Sequence, residues 1–147
     1  MPDREVIELT LEAVNALVPR LEAMVGKQLS RRDGIEGILA RLGRELGAVP
    51  ERIVIDPADP RDLRELKQEL LHAVEAYNAG WREVEALGAV LKDPRVGLLD
   101  FYGRVDDKPV WLCWKYGERE CGFYHALDEG FSARKPIGAG VKQRLLN

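Results

Sequence analysis

Residues Thr10–Gly47 read TLEAVNALVPRLEAMVGKQLSRRDGIEGILARLGRELG. Apolar side chains recur at Leu11, Val14, Val18, Leu21 and Val25, and again at Ile35, Leu39, Leu42 and Leu46, in alternating steps of three and four. That rhythm is a heptad seam, the mark of a long helix packing at a shallow angle on another. Thr10 has the side chain of an N-cap and Glu12 complements the positive dipole end, so a helix is predicted over 10–47. Pro19 is expected to kink it, and a break is expected near Gly34. Gln28 and Arg32 keep the register of the seam but are polar.

Gly47 and three prolines make 48–60 a connecting loop around the short run Ile53-Val54-Ile55. The seam restarts as Leu63, Leu66, Leu70, Ala73, Tyr77, Gly80, Val84, Leu87 and Leu91 before Asp93-Pro94, which predicts a second long helix over 61–92. Folding the two seams antiparallel sets Leu46 against Leu63 and Val25 against Val84. It also sets the Arg32 guanidinium on the Tyr77 ring and gives Gln28 room beside Gly80.

Past Val96 the period shortens towards two and aromatic and β-branched residues gather. Strands are predicted over 96–104, 109–116 and 121–126, with turns at Asp106-Asp107 and Gly117-Glu118-Arg119. The expected fold is therefore α+β in one domain, 1–147: a coiled-coil-like antiparallel helical hairpin followed by a three-stranded antiparallel β-meander over 96–126. In the middle strand Val110, Leu112, Trp114 and Tyr116 face one way and Trp111, Cys113 and Lys115 the other. The same register puts Cys113 and Cys121 on opposite faces, where they do not bridge. The tail, 131–147, carries Arg134, Lys135, Lys142 and Arg144 and is expected to be mobile after about residue 137.

The 147 residues are 46% hydrophobic and 32% charged, the balance of a folded chain. A net charge of −3 gives no field that would steer the whole surface onto nucleic acid or an anionic membrane. No basic leader precedes an apolar stretch, and no apolar run approaches the roughly 20 residues that span a bilayer. The expected location is the cytoplasm. Two cysteines make no disulfide framework and read as small core hydrophobes.

Two stretches carry a family resemblance. The first is Thr10-Leu11-Glu12-Ala13-Val14-Asn15-Ala16-Leu17-Val18-Pro19. The second is Leu98-Leu99-Asp100-Phe101, then Leu112-Cys113-Trp114, Gly117-Glu118, His125, Gly130-Phe131, Arg134 and Pro136. Together they resemble a prokaryotic family of uncharacterised proteins, the domain of unknown function 2203. Ala13-Val14 departs from the Glu-Ala of the family pattern. The resemblance implies no activity.

Reactive side chains concentrate at the C-terminal end, where Asp100, Glu118, His125 and Arg134 are candidate ligand-binding residues, with Asp100 and Cys113 brought close if the meander forms. His125 and Asp128, three apart, would share one side of a helical turn and with Glu118 are the candidate ligands of a divalent metal. The structural alternative pairs His125 with a carboxylate and Glu118 with Arg134, holding the tail down. A third reading makes Arg134, Lys135 and His125 a site for a small anionic ligand. Glu12 and Asn15 are assigned to the helix start rather than to a ligand, and Thr10, Asn15, Arg32 and Tyr77 to structural roles. No P-loop, dinucleotide fingerprint or nucleophile elbow occurs, and the aromatics of the meander read as core rather than as a stacking platform for bases. The functional expectation is a non-enzymatic interaction or scaffold module that forms a homodimer through its helical hairpin. A ligand- or metal-dependent activity at the C-terminal cluster is the alternative.

Overall fold

The computed structural model describes residues 6–138. Helix α1 spans Leu11–Leu46 and α2 spans Arg61–Glu85. A five-stranded antiparallel sheet follows in the order β1 (Ala89–Asp93), β2 (Leu98–Val105), β3 (Lys108–Lys115), β4 (Phe123–Ala126) and β5 (Lys135–Pro136), with a 3-10 turn at Phe131–Ala133. The α+β hairpin and meander stand, with two strands more than the sequence reading supplies. The basic residues Lys142 and Arg144 of the tail lie outside the described residues.

The second helix ends at Glu85 rather than 92, because Leu87 and Gly88 donate their amides to the Val84 and Glu85 carbonyls and Gly88 takes φ +105°. That left-handed glycine is a helix stop, and the next five residues form β1 instead, four of them paired with β2 around an irregularity between Leu91 and Asp93. Leu87 and Leu91, four apart, satisfy a helical spacing and a strand spacing at once, so the seam alone did not mark the change. Strand β5 is two residues long, and its pairing of Phe123 with Pro136 and Tyr124 with Lys135 needs the tail to turn back along β4. No local period announces it.

The chain divides into two compact units, one containing α1 up to Gly26 and everything from Glu83 onward, the other Lys27–Arg82. In the first, Thr10 caps α1 through its Oγ1, which accepts the Ala13 amide at 3.1 Å. Leu11, Val14, Val18, Leu21 and Val25 are buried, as are Leu99, Phe101, Leu112 and Trp114 along one face of the sheet. Burial of each such side chain stabilises the fold by about 1.5–3 kcal/mol. The approach is close: a Cβ at Gly97 would stand 2.6 Å from Val25, and one at Gly103 would meet the Leu9 carbonyl at 3.0 Å. Gly103 thus lets the Leu9 amide reach the Tyr102 carbonyl at 2.8 Å. Helix α1 runs unbroken through Pro19 and Gly34. The expected break near Gly34 does not occur. Gly34 and Gly37 are exposed, and one or two glycines cost less than the apolar face returns.

In the second unit Ile38, Leu42, Leu66 and Leu70 form the buried cluster, with Ile35, Leu39, Ile53, Leu63 and Ala73 against it, which is the antiparallel seam. The polar step in that seam differs from expectation at one residue. Gln28, not Arg32, meets Tyr77: its Nε2 donates to the Tyr77 carbonyl at 2.6 Å, and its Oε1 accepts from Arg31 at 2.6 Å. Arg32 pairs along its own helix with Glu36, and the Tyr77 ring packs edge-on to Trp81 at 6.1 Å. Gly80 makes the Gln28 contacts possible, since a Cβ there would stand 2.0 Å from Gln28 Oε1.

Gly80→Ala is expected to destabilise the protein by about 1–3 kcal/mol despite the better helix propensity of alanine, because the added methyl displaces a buried, twice-bonded amide. Denaturant unfolding of the two proteins side by side measures it, and a Gly80→Ala variant as stable as the parent contradicts the account.

Candidate functional site

Asp106 and Asp107 both adopt left-handed backbone, φ 51° and 65°. That is the conformation of a two-residue hairpin turn whose twist suits the flanking strands. It fixes the β2–β3 register so that Asp100 lies opposite Cys113 and Tyr102 opposite Trp111. On the far side of β3, Trp111 lies opposite His125 and Cys113 opposite Phe123. Directly opposed residues share a face, so Asp100, Cys113 and His125 all project from the side away from Leu112 and Trp114.

The three side chains are buried, with relative exposures of 2% for Asp100, 0% for Cys113 and 2% for His125. One ligand atom from each lies within 4.8 Å of the others. His125 Nε2 is 2.9 Å from Asp100 Oδ2, and its Nδ1 is 2.9 Å from the Ala126 carbonyl. A carbonyl only accepts, so Nδ1 carries a proton. Nε2 and Oδ2 are both acceptors unless one of them is protonated, so a second proton lies between them. The pair is neutral as a whole, either as imidazolium and carboxylate or as imidazole and carboxylic acid. Burial pushes the Asp100 carboxyl above its ordinary range while the charge of His125 draws it down. Asp100 Oδ1 has no hydrogen-bond partner among the described residues.

A second group adjoins this one. Glu118 receives Arg134 through two parallel bonds, Nη1 to Oε1 at 3.1 Å and Nη2 to Oε2 at 3.0 Å, and Oε1 also accepts the Lys115 amide at 2.7 Å. The Arg134 guanidinium stacks on Phe123 at 3.8 Å and Phe131 at 4.3 Å and reaches Cys113 Sγ at 3.8 Å. Asp100, Glu118, His125 and Arg134 therefore belong to one run of contacts, with the Cys113 thiol in the middle.

The metal set His125, Asp128 and Glu118 is not brought together. His125 lies in a strand, Asp128 is exposed in the turn beyond it, and Glu118 is occupied by Arg134. The small-anion site of Arg134, Lys135 and His125 fails for the same reason, since both Nη groups face Glu118 and His125 is buried against Asp100. Cys113, read as core and as brought beside Asp100 by the meander, stands in the cluster, because counting outward from the Asp106-Asp107 turn pairs it with Asp100. Asn15 acts neither as cap nor towards a ligand: its Oδ1 accepts the Cys121 amide at 2.7 Å and ties α1 to the chain ahead of β4. Cys121 precedes β4 and is assigned to no strand face, and its thiol sits 3.5 Å from the Cys113 carbonyl. Both thiols are free.

Asp100, Cys113, Glu118, His125, Phe131 and Arg134 are the polar and aromatic positions of the C-terminal motif. A family of uncharacterised conserved proteins, the domain of unknown function 2203, matches residues 9–137. The chain belongs to this family. No curated protein and no solved structure matches it. For this DUF2203 chain the reading of the site rests on its geometry.

Burial pushes both thiols up to about 12, and the neighbouring Asp100 charge adds to this at Cys113. In the unfolded chain a thiol ionises near its ordinary value of 9.0, so the folded state holds its protons longer. The resulting stability is complete below pH 9 and is lost as pH rises from there towards 12. Native protein at pH 8 is expected to resist iodoacetamide at both cysteines, and thermal melts are expected to fall steadily above pH 9. Rapid native-state alkylation at pH 8, followed by mass spectrometry, would contradict this. Arg134→Met is expected to cost about 1–3 kcal/mol by stranding Glu118, measured by denaturant unfolding.

Proposed function

We propose that this protein is a non-enzymatic interaction module that self-associates as a homodimer through its helical hairpin, in the manner of a coiled coil. One observation carries the reading. Within Lys27–Arg82 the fully buried cluster holds only Ile38, Leu42, Leu66 and Leu70, while large apolar side chains remain open to solvent beside it. Among them are Val54 at 64%, Leu71 at 42% and Val74 at 36% exposure. Lys67 Nζ holds the Val54 carbonyl at 2.9 Å, and Leu71 and Val74 follow Lys67 by one and two turns of α2. Leu71 and Val74, three apart, share one side of α2, and the Lys67 bond ties the loop that carries Val54 to the same helix. A second copy turned about a two-fold axis would cover these apolar groups with its own.

The absence of any helix long and apolar enough to cross a membrane among the described residues is consistent with this reading. Two free buried thiols suit a reducing compartment, and we place the protein in the cytoplasm on that ground. A ligand- or metal-dependent role at the Asp100 and His125 cluster is the second reading, favoured by the burial of both residues in one network.

Light scattering coupled to size exclusion is expected to return a dimer mass at micromolar concentration. The double substitution Leu71→Glu, Val74→Glu is expected to weaken the dimer by at least ~100-fold, from the loss of two buried apolar side chains on each copy, with helical content unchanged. A strict monomer for the native chain overturns the proposal.

A further inference from the structure

We propose that Asp100, Cys113 and His125 form a binding site for one divalent transition metal of the zinc, cobalt(II) or iron(II) class. The inference stands apart from the hairpin reading, because every donor atom it uses lies on β2, β3 and β4. Three observations carry it. First, the donors are of three chemical kinds, thiol sulfur, imidazole nitrogen and carboxylate oxygen, and lie within 4.8 Å of one another. Among the described residues this is the one such group. A tetrahedral ion bound at about 2.0–2.3 Å spaces its donors about 3.3–3.8 Å apart. Opening the 2.9 Å gap between Nε2 and Oδ2 by about half an ångström and drawing the sulfur in by up to about an ångström meets that spacing.

Second, His125 is already presented as a metal ligand requires. Its Nδ1 donates to the Ala126 carbonyl, which holds the ring orientation and leaves Nε2 as the coordinating atom. Third, Asp100 is 2% exposed and its Oδ1 has no hydrogen-bond partner among the described residues. A cation beside such a buried carboxylate oxygen would supply the partner it lacks. Soft sulfur beside imidazole favours zinc, cobalt(II) or iron(II) over magnesium or calcium.

The charge balance closes. Before binding, the Asp100–His125 pair holds one bridging proton and is neutral, and Cys113 is a neutral thiol. On binding, both protons leave to solvent and the cation takes the lone pairs of Nε2, Oδ2 and Sγ. One carboxylate and one thiolate then offset the two positive charges, so the buried cluster stays neutral. The Arg134 guanidinium, 3.8 Å from Sγ, favours the thiolate, and its own charge is matched by Glu118. The guanidinium sits on the segment leading into β5, which is joined to the sheet over two residues. Few hydrogen bonds need to open for an ion to enter from that side.

The test uses the full chain, purified without a nickel column and stripped with chelator. Anaerobic titration with cobalt(II) is expected to raise a near-ultraviolet sulfur-to-cobalt charge-transfer band that saturates at a single equivalent. Zinc is expected to raise the melting temperature by several degrees, and calorimetry in two buffers of different ionisation enthalpy is expected to count about two protons released per zinc. Cys113→Ser removes the band, Cys121→Ser keeps it, and Asp100→Asn weakens binding while its amide still bonds Nε2. X-ray absorption of the zinc-loaded native chain is expected to show one sulfur among nitrogen and oxygen neighbours, which decides the matter even where a variant fails to fold. No band and no zinc-induced rise in melting temperature would make the trio a purely structural network and overturn the proposal. A band that survives Cys113→Ser, or a shell with no sulfur or two, would overturn it equally.

Discussion

Much of the C-terminal half depends on one tight turn. Asp106 and Asp107 hold left-handed backbone between β2 and β3, and a two-residue connection leaves no slack in the register of the strands it joins. A slip by one residue would send Asp100 to the face of Phe101 and Leu112, burying a carboxyl among apolar groups. It would also put Phe101 where Asp100 now meets His125. The turn and the two-faced pattern of β3 therefore specify the same pairing, which is why the chain can place a buried acid reliably.

The buried polar groups are arranged as two neutral sets in contact. Asp100 and His125 share a proton, and Glu118 and Arg134 share a bidentate ion pair, with Cys113 touching the second and facing the first. Neutrality in pairs is what the low-dielectric surroundings demand, since an unpaired charge there costs far more than the pair. The aromatic rings of Phe123 and Phe131 against Arg134 reduce its contact with water and sharpen the pairing. Cys113 stands between the two sets, so a change in its charge is felt by both Asp100 and Arg134.

The helical hairpin solves a different problem. Its seam is interrupted by Gln28, a polar residue with 1% exposure, and the interruption is satisfied inside the unit by the Tyr77 carbonyl and Arg31. Such a step in an apolar seam fixes which residues face each other, because only Gly80 leaves space for the amide. The apolar seam stabilises the hairpin and the polar step specifies its register.

The local sequence by itself determined the two helices, the Thr10 cap, the antiparallel seam, the Asp106-Asp107 turn and the alternation of β3, because each is a periodicity or a backbone preference written within a few residues. It also brought Asp100, Glu118, His125 and Arg134 forward as the residues to watch. Only the tertiary structure decided which of them touch. The helix stop at Gly88 and the return of the tail as β5 depend on partners far along the chain, and the Leu87–Leu91 spacing fits either helix or strand until β2 is present to pair with. His125 and Asp128, close in sequence, part because a strand alternates its faces, whereas Asp100, Cys113 and His125, spread over 26 residues, meet because three strands stand side by side. Spacing along a chain encodes contacts within one element, and contacts between elements are set by register.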